Sequence, residues 1–289
     1  MPATPVIDAH FSAQLVDISR AAGVAILAIY DSAVALDIEF KSDESPLTAA
    51  DIAAHNLIVR ELKNLHPVPI ISEESVVPSL EERKRWPMYW LVDPLDGTKE
   101  FIARNGQFTV NIALVMNGVP LAGVVHVPVS DETYLGIDKS LMANGVQCAE
   151  KFVGAKKVAD LRTRSLTERL NAKDSMELLI SHRHGSEAVA ELVKKLEARW
   201  PAPLTRLNIG SSLKFCMIAE GKADFYPRLA PTCEWDTAAA QAVLTAAGGL
   251  VVNALSLDKL TCNNTETLLN PFFFALGDAD FDWRALLID

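Results

Sequence analysis
No surplus of positive charge is available to this chain: 27 Lys and Arg stand against 37 Asp and Glu, a formal net charge of −10. That excludes a general electrostatic grip on nucleic acid or anionic lipid as its main business, so any anionic ligand needs a local exception. Cysteine is scarce as well. Cys148, Cys216, Cys233 and Cys262 form no C-x-x-C pair and no zinc-ligand spacing, which leaves them as buried or incidental thiols. Long apolar runs are missing near the start: "AAGVAILAIY" at 21–30 is short, sits inside an amphipathic pattern and follows no basic region. It is too short to span a bilayer and wrong for a secretory signal, so it reads as core helix in a cytoplasmic protein with no integral membrane segment. Internal repeats, low-complexity tracts and Gly/Ser linkers are also absent, and any domains must divide one compact body.

What is there is a chain of 289 residues, 49% hydrophobic, about two domains by the prior of roughly 150 residues each. The segment 11–30 reads as a helix. So does "SPLTAADIAAHNLIVRELKNLHP", with Thr48 as N-cap, Asp51 three residues on and Pro67 ending it. "FTVNIALVMNGVPLAGVVHVPV" reads as two strands joined at Asn117-Gly118, and "ETYLGI" continues the meander as an antiparallel sheet. After residue 154 the pattern changes to strand–helix alternation: "MELLIS", a helix over 186–199, a helix from Ser211, "ADFYPR", then "WDTAAAQAVLTAAGG" and the short strand "LVVN". The expected organisation is an α+β lobe over 1–154 and an α/β lobe over 155–289.

Three acidic stretches stand out. In "WLVDPLDGTKEF" an apolar strand delivers Asp93, Pro94 forbids helix, and Gly97 frees the backbone just before a helix start at Thr98. Such a turn brings together carboxylates that suit hard cations and free amides that suit phosphate. "IISEES" places Glu73 and Glu74 at a strand end, and "CEWDTAAAQAVL" places Asp236 at the N-cap of an Ala-rich helix. Each has a plain structural explanation when taken singly: an Asx turn, a solvated strand end, a cap. Together, Glu73, Asp93, Asp96 and Asp236 make an all-oxygen set that suits Mg²⁺ and not zinc, which points to metal-assisted phosphate chemistry.

"SPLTAAD", "ISEE", "WLVDPLDGT" and "EWDTAAAQAVLTAAGG", in this order over nearly the whole chain, resemble the inositol monophosphatase superfamily of magnesium-dependent, lithium-sensitive phosphatases. "DPLDGTKEF", "GSSLKFCMIAEGKADFYPR" and "LNPFFFA" are similar to its CysQ-type branch, the 3′(2′),5′-bisphosphate nucleotidases. These convert adenosine 3′,5′-bisphosphate to AMP and phosphate in sulfur assimilation and nucleotide recycling. The resemblance implies an α/β fold of alternating layers, the αβαβα sandwich of the inositol monophosphatase and fructose-bisphosphatase type, with a metal site between two lobes. It implies that Glu73, Asp93 and the Leu95 carbonyl hold one Mg²⁺, that Asp93, Asp96 and Asp236 hold a second, and that a third, weaker ion has room near Glu73. It implies further that Thr98, backed by Asp51, orients the attacking water while the Gly97 and Thr98 amides bind phosphate. Asp51 could instead be a first-turn helix acid. The location implied is the cytoplasm, free or peripheral at the cytoplasmic face of the inner membrane; oligomeric state is left open.

Inositol-directed relatives carry an acid on the approach to the "WD" motif; "YPRLAPTCEWD" offers Arg228 instead, with Lys214 upstream in "GSSLKFC". A second, uncleaved phosphate needs such cations. The resemblance assigns Ser211, Lys214 and Arg228 to that phosphate and His184 to the nucleoside, although Lys214 could be a snorkelling surface lysine and His184, in "SHRH" where the branch favours Ser-Arg-Ser-His, a plain surface histidine. "CNN" stands where relatives frequently carry an aromatic near the C-terminus, and an acidic tail follows, which touches fine specificity and end-packing and not the metal chemistry. Other readings are an inositol or sugar monophosphatase and a non-catalytic nucleotide-binding protein. A haloacid-dehalogenase-type phosphatase spaces its aspartates two apart, unlike Asp93 and Asp96.

Overall fold
The computed structural model describes residues 5–32, 38–40, 46–180 and 187–288. In chain order these form α1 (Ala9–Tyr30), β1 (Ile38–Phe40), β2 (Pro46–Thr48), α2 (Ala49–Leu65), β3 (Ile70–Ser72), α3 (Leu80–Arg83), β4 (Met88–Asp96), α4 (Thr98–Ile102), β5 (Thr109–Met116), β6 (Val119–Val127), β7 (Glu132–Ile137), β8 (Cys148–Val153) and β9 (Lys156–Asp160). The second half supplies α5 (Leu166–Ala172), β10 (Met176–Ile180), α6 (Glu187–Arg199), β11 (Leu204–Asn208), α7 (Leu213–Ala219), β12 (Phe225–Arg228), α8 (Ala238–Ala246), β13 (Leu250–Asn253), β14 (Phe273–Leu276) and α9 (Trp283–Leu287).

Strands β3 to β9 form one sheet in sequence order, and a second sheet runs β11-β10-β12-β14-β13. The period of two along each strand sorts side chains into layers. On β4, Trp90 and Val92 face the cluster built on α1 and α2, while Tyr89 and Leu91 face a middle cluster with α7 and α8. On β14, Phe273 and Ala275 join that middle cluster, whereas Phe274 and Leu276 pack with α5, α6 and α9. The order is helix, sheet, helix, sheet, helix. Central α8 is close-packed: a Cβ on Gly123 would meet the Ala239 carbonyl oxygen at 2.3 Å, and one on Gly136 would meet Val243 Cα at 2.3 Å. Only glycine lets the helix lie that near the sheet.

Several elements follow their local signals closely. Thr48 caps α2 with Asp51 closing a capping box, and Asn117 and Gly118, both at positive φ, turn β5 into β6. The apolar stretch at 21–30 belongs to a longer helix, α1, which by length and composition alone is apolar enough to cross a membrane; here it packs on α2, β5, β6 and β7. The first sheet continues through β9 to Asp160, because Gly154 (φ +60) is a hairpin turn inside it, so the change of sheet falls beyond residue 154. Asp236 does not cap the Ala-rich helix. It ends a 3-10 turn, Glu234–Asp236, and Thr237 holds the N-cap position of α8.

Candidate active site
The carboxylates converge from three elements. Strand β3 ends at Ser72 and hands on Glu73, whose amide donates to the Val92 carbonyl at 3.1 Å. β4 carries Asp93, and its pairing with β5 slips between Asp93 and Asp96. Pro94 and the bulge turn the chain so that both aspartates serve one site. The Leu95 amide donates to Asp93 Oδ1 at 3.0 Å. Gly97, at φ +93, makes the left-handed step that starts α4 at Thr98. Asp236 arrives from the other half of the molecule, its Oδ2 accepting from the Cys233 amide at 2.9 Å.

Charge shows the convergence most clearly. Burial, then the charges of Glu73, Asp96 and Asp236, together with a hydrogen bond to Glu73, hold Asp93 well above the usual carboxylate range. Burial and the charges of Asp96 and Glu73 do the same to Asp236. Asp96 is pushed up to about 6 by burial, against the opposing pull of Lys214 and the Ser212 amide. These four acids sense each other although the sequence spreads them over three motifs. Among the described residues no group of three or more acidic, His or Cys side chains already has the arrangement of a metal cage. The donor chemistry nevertheless fits a hard cation: oxygen ligands only, crowded and mutually repelling, where added positive charge would relieve the cost.

Thr98 and Asp51, which the resemblance pairs, come within reach of each other. The Thr98 hydroxyl reaches Asp51 Oδ1 at 3.5 Å and the Leu95 carbonyl at 3.4 Å. Asp51 is buried, and its Oδ2 accepts from the Thr48 amide at 2.8 Å and the Thr48 hydroxyl at 2.6 Å. It is therefore both the helix acid of the capping box and Thr98's partner.

A cavity of about 280 Å³ opens beside the carboxylates, and Asp96, Gly97, Ser211, Lys214, Arg228 and Asp236 line it together. Lys214 is no snorkelling surface lysine: it is 4% exposed, donates to the Ile209 and Ser211 carbonyls at 3.1 and 2.8 Å, and lies over the Tyr226 ring. Burial lowers its ammonium to about 8 against the raising effect of Asp96. Arg228 donates to the Ala230 and Pro231 carbonyls at 3.2 and 2.8 Å, which holds its guanidinium at the rim. His184 lies outside the described residues. Sequence reasoning passed over Tyr226 and Ser212. Tyr226 alternates with Phe225 and was legible as one face of β12; Ser212 is like its neighbour Ser211 in sequence, and its burial against Thr109 and Asn111 of β5 is a tertiary matter.

Comparison with known proteins agrees with this geometry. A model described as the inositol monophosphatase family matches residues 8–270. A 3′(2′),5′-bisphosphate nucleotidase CysQ from Escherichia coli O157:H7 is 43% identical over 261 residues, covering 90% of this chain and 97% of the relative. The CysQ nucleotidase of Haemophilus influenzae is 34% identical over 282 residues, 97% of each. Among solved structures, CysQ from Bacteroides thetaiotaomicron, a bacterial member of the inositol monophosphatase family, matches with a TM-score of 0.74 and 40% identity, over 91% of this chain and 95% of that one. Mycobacterium tuberculosis SuhB, 20% identical with a TM-score of 0.65, shares the fold.

Proposed function
This chain belongs to the inositol monophosphatase family, and from that premise we propose that it is a 3′(2′),5′-bisphosphate nucleotidase, removing the 3′-phosphate of adenosine 3′,5′-bisphosphate to leave AMP and phosphate. The observation that carries the substrate is the cavity in which Lys214 and Arg228 stand beside Asp96 and Asp236. Two cations in an acidic protein, next to the acids that would hold metal, suit a second phosphate that is bound and not cleaved. The CysQ relatives are named for that activity.

In this reading Glu73, Asp93, Asp96, Asp236 and the Leu95 carbonyl would hold Mg²⁺, two ions and a weaker third near Glu73. Such cations supply neutralisation of charge on the phosphate and the leaving oxygen and make a bound water more acidic. The chain's own residues do the placing. The one proton of Thr98 has Asp51 Oδ1 and the Leu95 carbonyl within reach, and given to either it leaves the oxygen to accept from the attacking water and fix the direction of attack. Gly97 and Thr98 present amides to the phosphate at the start of α4. Arg228 and Lys214, with Ser211, hold the far phosphate, Lys214 mainly through its charge since two of its three donors serve the turn at 209–211. The working location is the cytoplasm, with α1 used in the core.

The test is phosphate release measured side by side from adenosine 3′,5′-bisphosphate, AMP and inositol 1-phosphate, with Mg²⁺ and with chelator. The bisphosphate should lead in kcat/KM and chelation should stop it. Equal use of all three would reduce the reading to a general phosphomonoesterase, and Mg²⁺-independent release would overturn it.

A further inference from the structure
Asp96 is held from across the molecule by a residue its own motif does not supply. The Ser212 amide, at the start of α7, donates to Asp96 Oδ2 at 2.6 Å. Ser212 is itself fixed by two β5 residues: its hydroxyl donates to Asn111 Oδ1 at 2.8 Å and lies 2.8 Å from Thr109 Oγ1, and Asn111 Nδ2 donates to Thr109 Oγ1 at 3.3 Å. All three side chains are buried.

Counting protons fixes the direction of these bonds. Asn111 Oδ1 can only accept, so the single hydroxyl proton of Ser212 goes to it. At the Thr109–Ser212 contact the serine oxygen must then accept, and Thr109 donates. Asn111 Nδ2 supplies the bond to Thr109. The result is a closed ring, Ser212 to Asn111 to Thr109 to Ser212, in which every bond runs the same way and each polarises the next. Thr109 also lies 3.5 Å from Asp96 Oδ2, but its proton is used in the shorter contact.

We propose that this ring is the positioning device for Asp96: by locking Ser212 it aims one amide at Oδ2 and leaves Oδ1 as the oxygen to be shared with a cation. Thr109, Asn111 and Ser212 are positioning residues and not ligands. The ring also ties the cation site to the phosphate side. Ser211, held at φ +46, accepts from Lys214, and the Gly210 amide donates to Gln107 Oε1 at 2.8 Å, so one short turn sets both Asp96 and Lys214. The inference rests on the reading of Asp96 as a cation ligand.

The experiment is calorimetric titration of Mn²⁺ into chelator-stripped full-length protein, with thermal unfolding of the same samples. Groups that orient metal ligands are worth roughly ten- to a hundredfold in affinity. Since Ser212→Ala keeps the amide, a weakening of about tenfold in Mn²⁺ Kd is expected, measured well below a Tm that the lost buried hydrogen bonds lower. Thr109→Val should do the same and Thr109→Ser, which keeps the hydroxyl, should bind as wild type; if Ser212→Ala does not fold, the Thr109 pair decides. KM for the bisphosphate should rise in Ser212→Ala at limiting metal and recover at saturating metal. Wild-type Mn²⁺ affinity in both Ser212→Ala and Thr109→Val would overturn the ring's role while leaving the cation site standing. No Mn²⁺ binding by the wild type would overturn both.

Discussion
Asp51 shows how one carboxylate serves structure and chemistry at once. Oδ2 closes the capping box with Thr48, while Oδ1 is the oxygen Thr98 reaches. If the pair orients water as a unit, the two losses cannot add. A double-mutant cycle on kcat with Asp51→Asn and Thr98→Ala should give large single losses and a double mutant scarcely worse than the poorer single. Additive losses would separate the two roles. The cap makes a stability cost of about 1 kcal/mol expected for Asp51→Asn, so unfolding must be measured beside kcat. Only the cap was legible in the residues themselves, Thr48 and Asp51 standing at capping-box spacing; the partnership with Thr98 came from the family resemblance. The burial of Lys214 was not legible, since it depends on Tyr226 arriving from another element.

Elements were read best where a turn or cap fixes them and worst where neighbours do. The Asn117-Gly118 hairpin declares itself through two positive-φ residues. β11, with mostly exposed side chains at the edge of its sheet, carries no apolar run to mark it, and Asp236 looked like a helix cap because its 3-10 turn runs directly into α8. The packing of α1 on the first sheet makes a testable statement about pH. His126 on β6 is buried, lies under Gly23 of α1 and shares a hydrogen bond with Thr133 at 2.9 Å. Burial lowers its pKa from the ordinary 6.5 to about 4, with Asp131 opposing and Arg20 assisting. The unfolded chain thus takes up the proton first as pH falls. His126 costs nothing above about 6.5, and stability is lost from there down toward about 4. Between pH 7.5 and 5 its share is about 2 kcal/mol. Urea unfolding at those two pH values should show the wild type losing about that much more than His126→Asn; equal losses would mean that the imidazole is not held neutral.

At the scale of the whole molecule, the layers follow from strand periodicity, and the two sheets share a middle layer of helices. That is why the site draws on both halves: the ends of β3 and β4 bring Glu73, Asp93 and Asp96, while α7, the end of β12 and the 3-10 turn before α8 bring Lys214, Arg228 and Asp236. The motifs announced the acids through composition and order. Their meeting place required the fold, because the charge coupling among Glu73, Asp93, Asp96 and Asp236 is a property of no single stretch. The central claim is that this shared site takes a substrate with two phosphates and cleaves one. Arg228→Ala tests it most directly, by kcat/KM on adenosine 3′,5′-bisphosphate and on inositol 1-phosphate under the same Mg²⁺. A hydrogen bond to a charged group is worth roughly 1.5–3 kcal/mol, so the bisphosphate should lose about ten- to a hundredfold while inositol 1-phosphate loses far less. Equal losses on both substrates would contradict the account and leave Arg228 a structural residue.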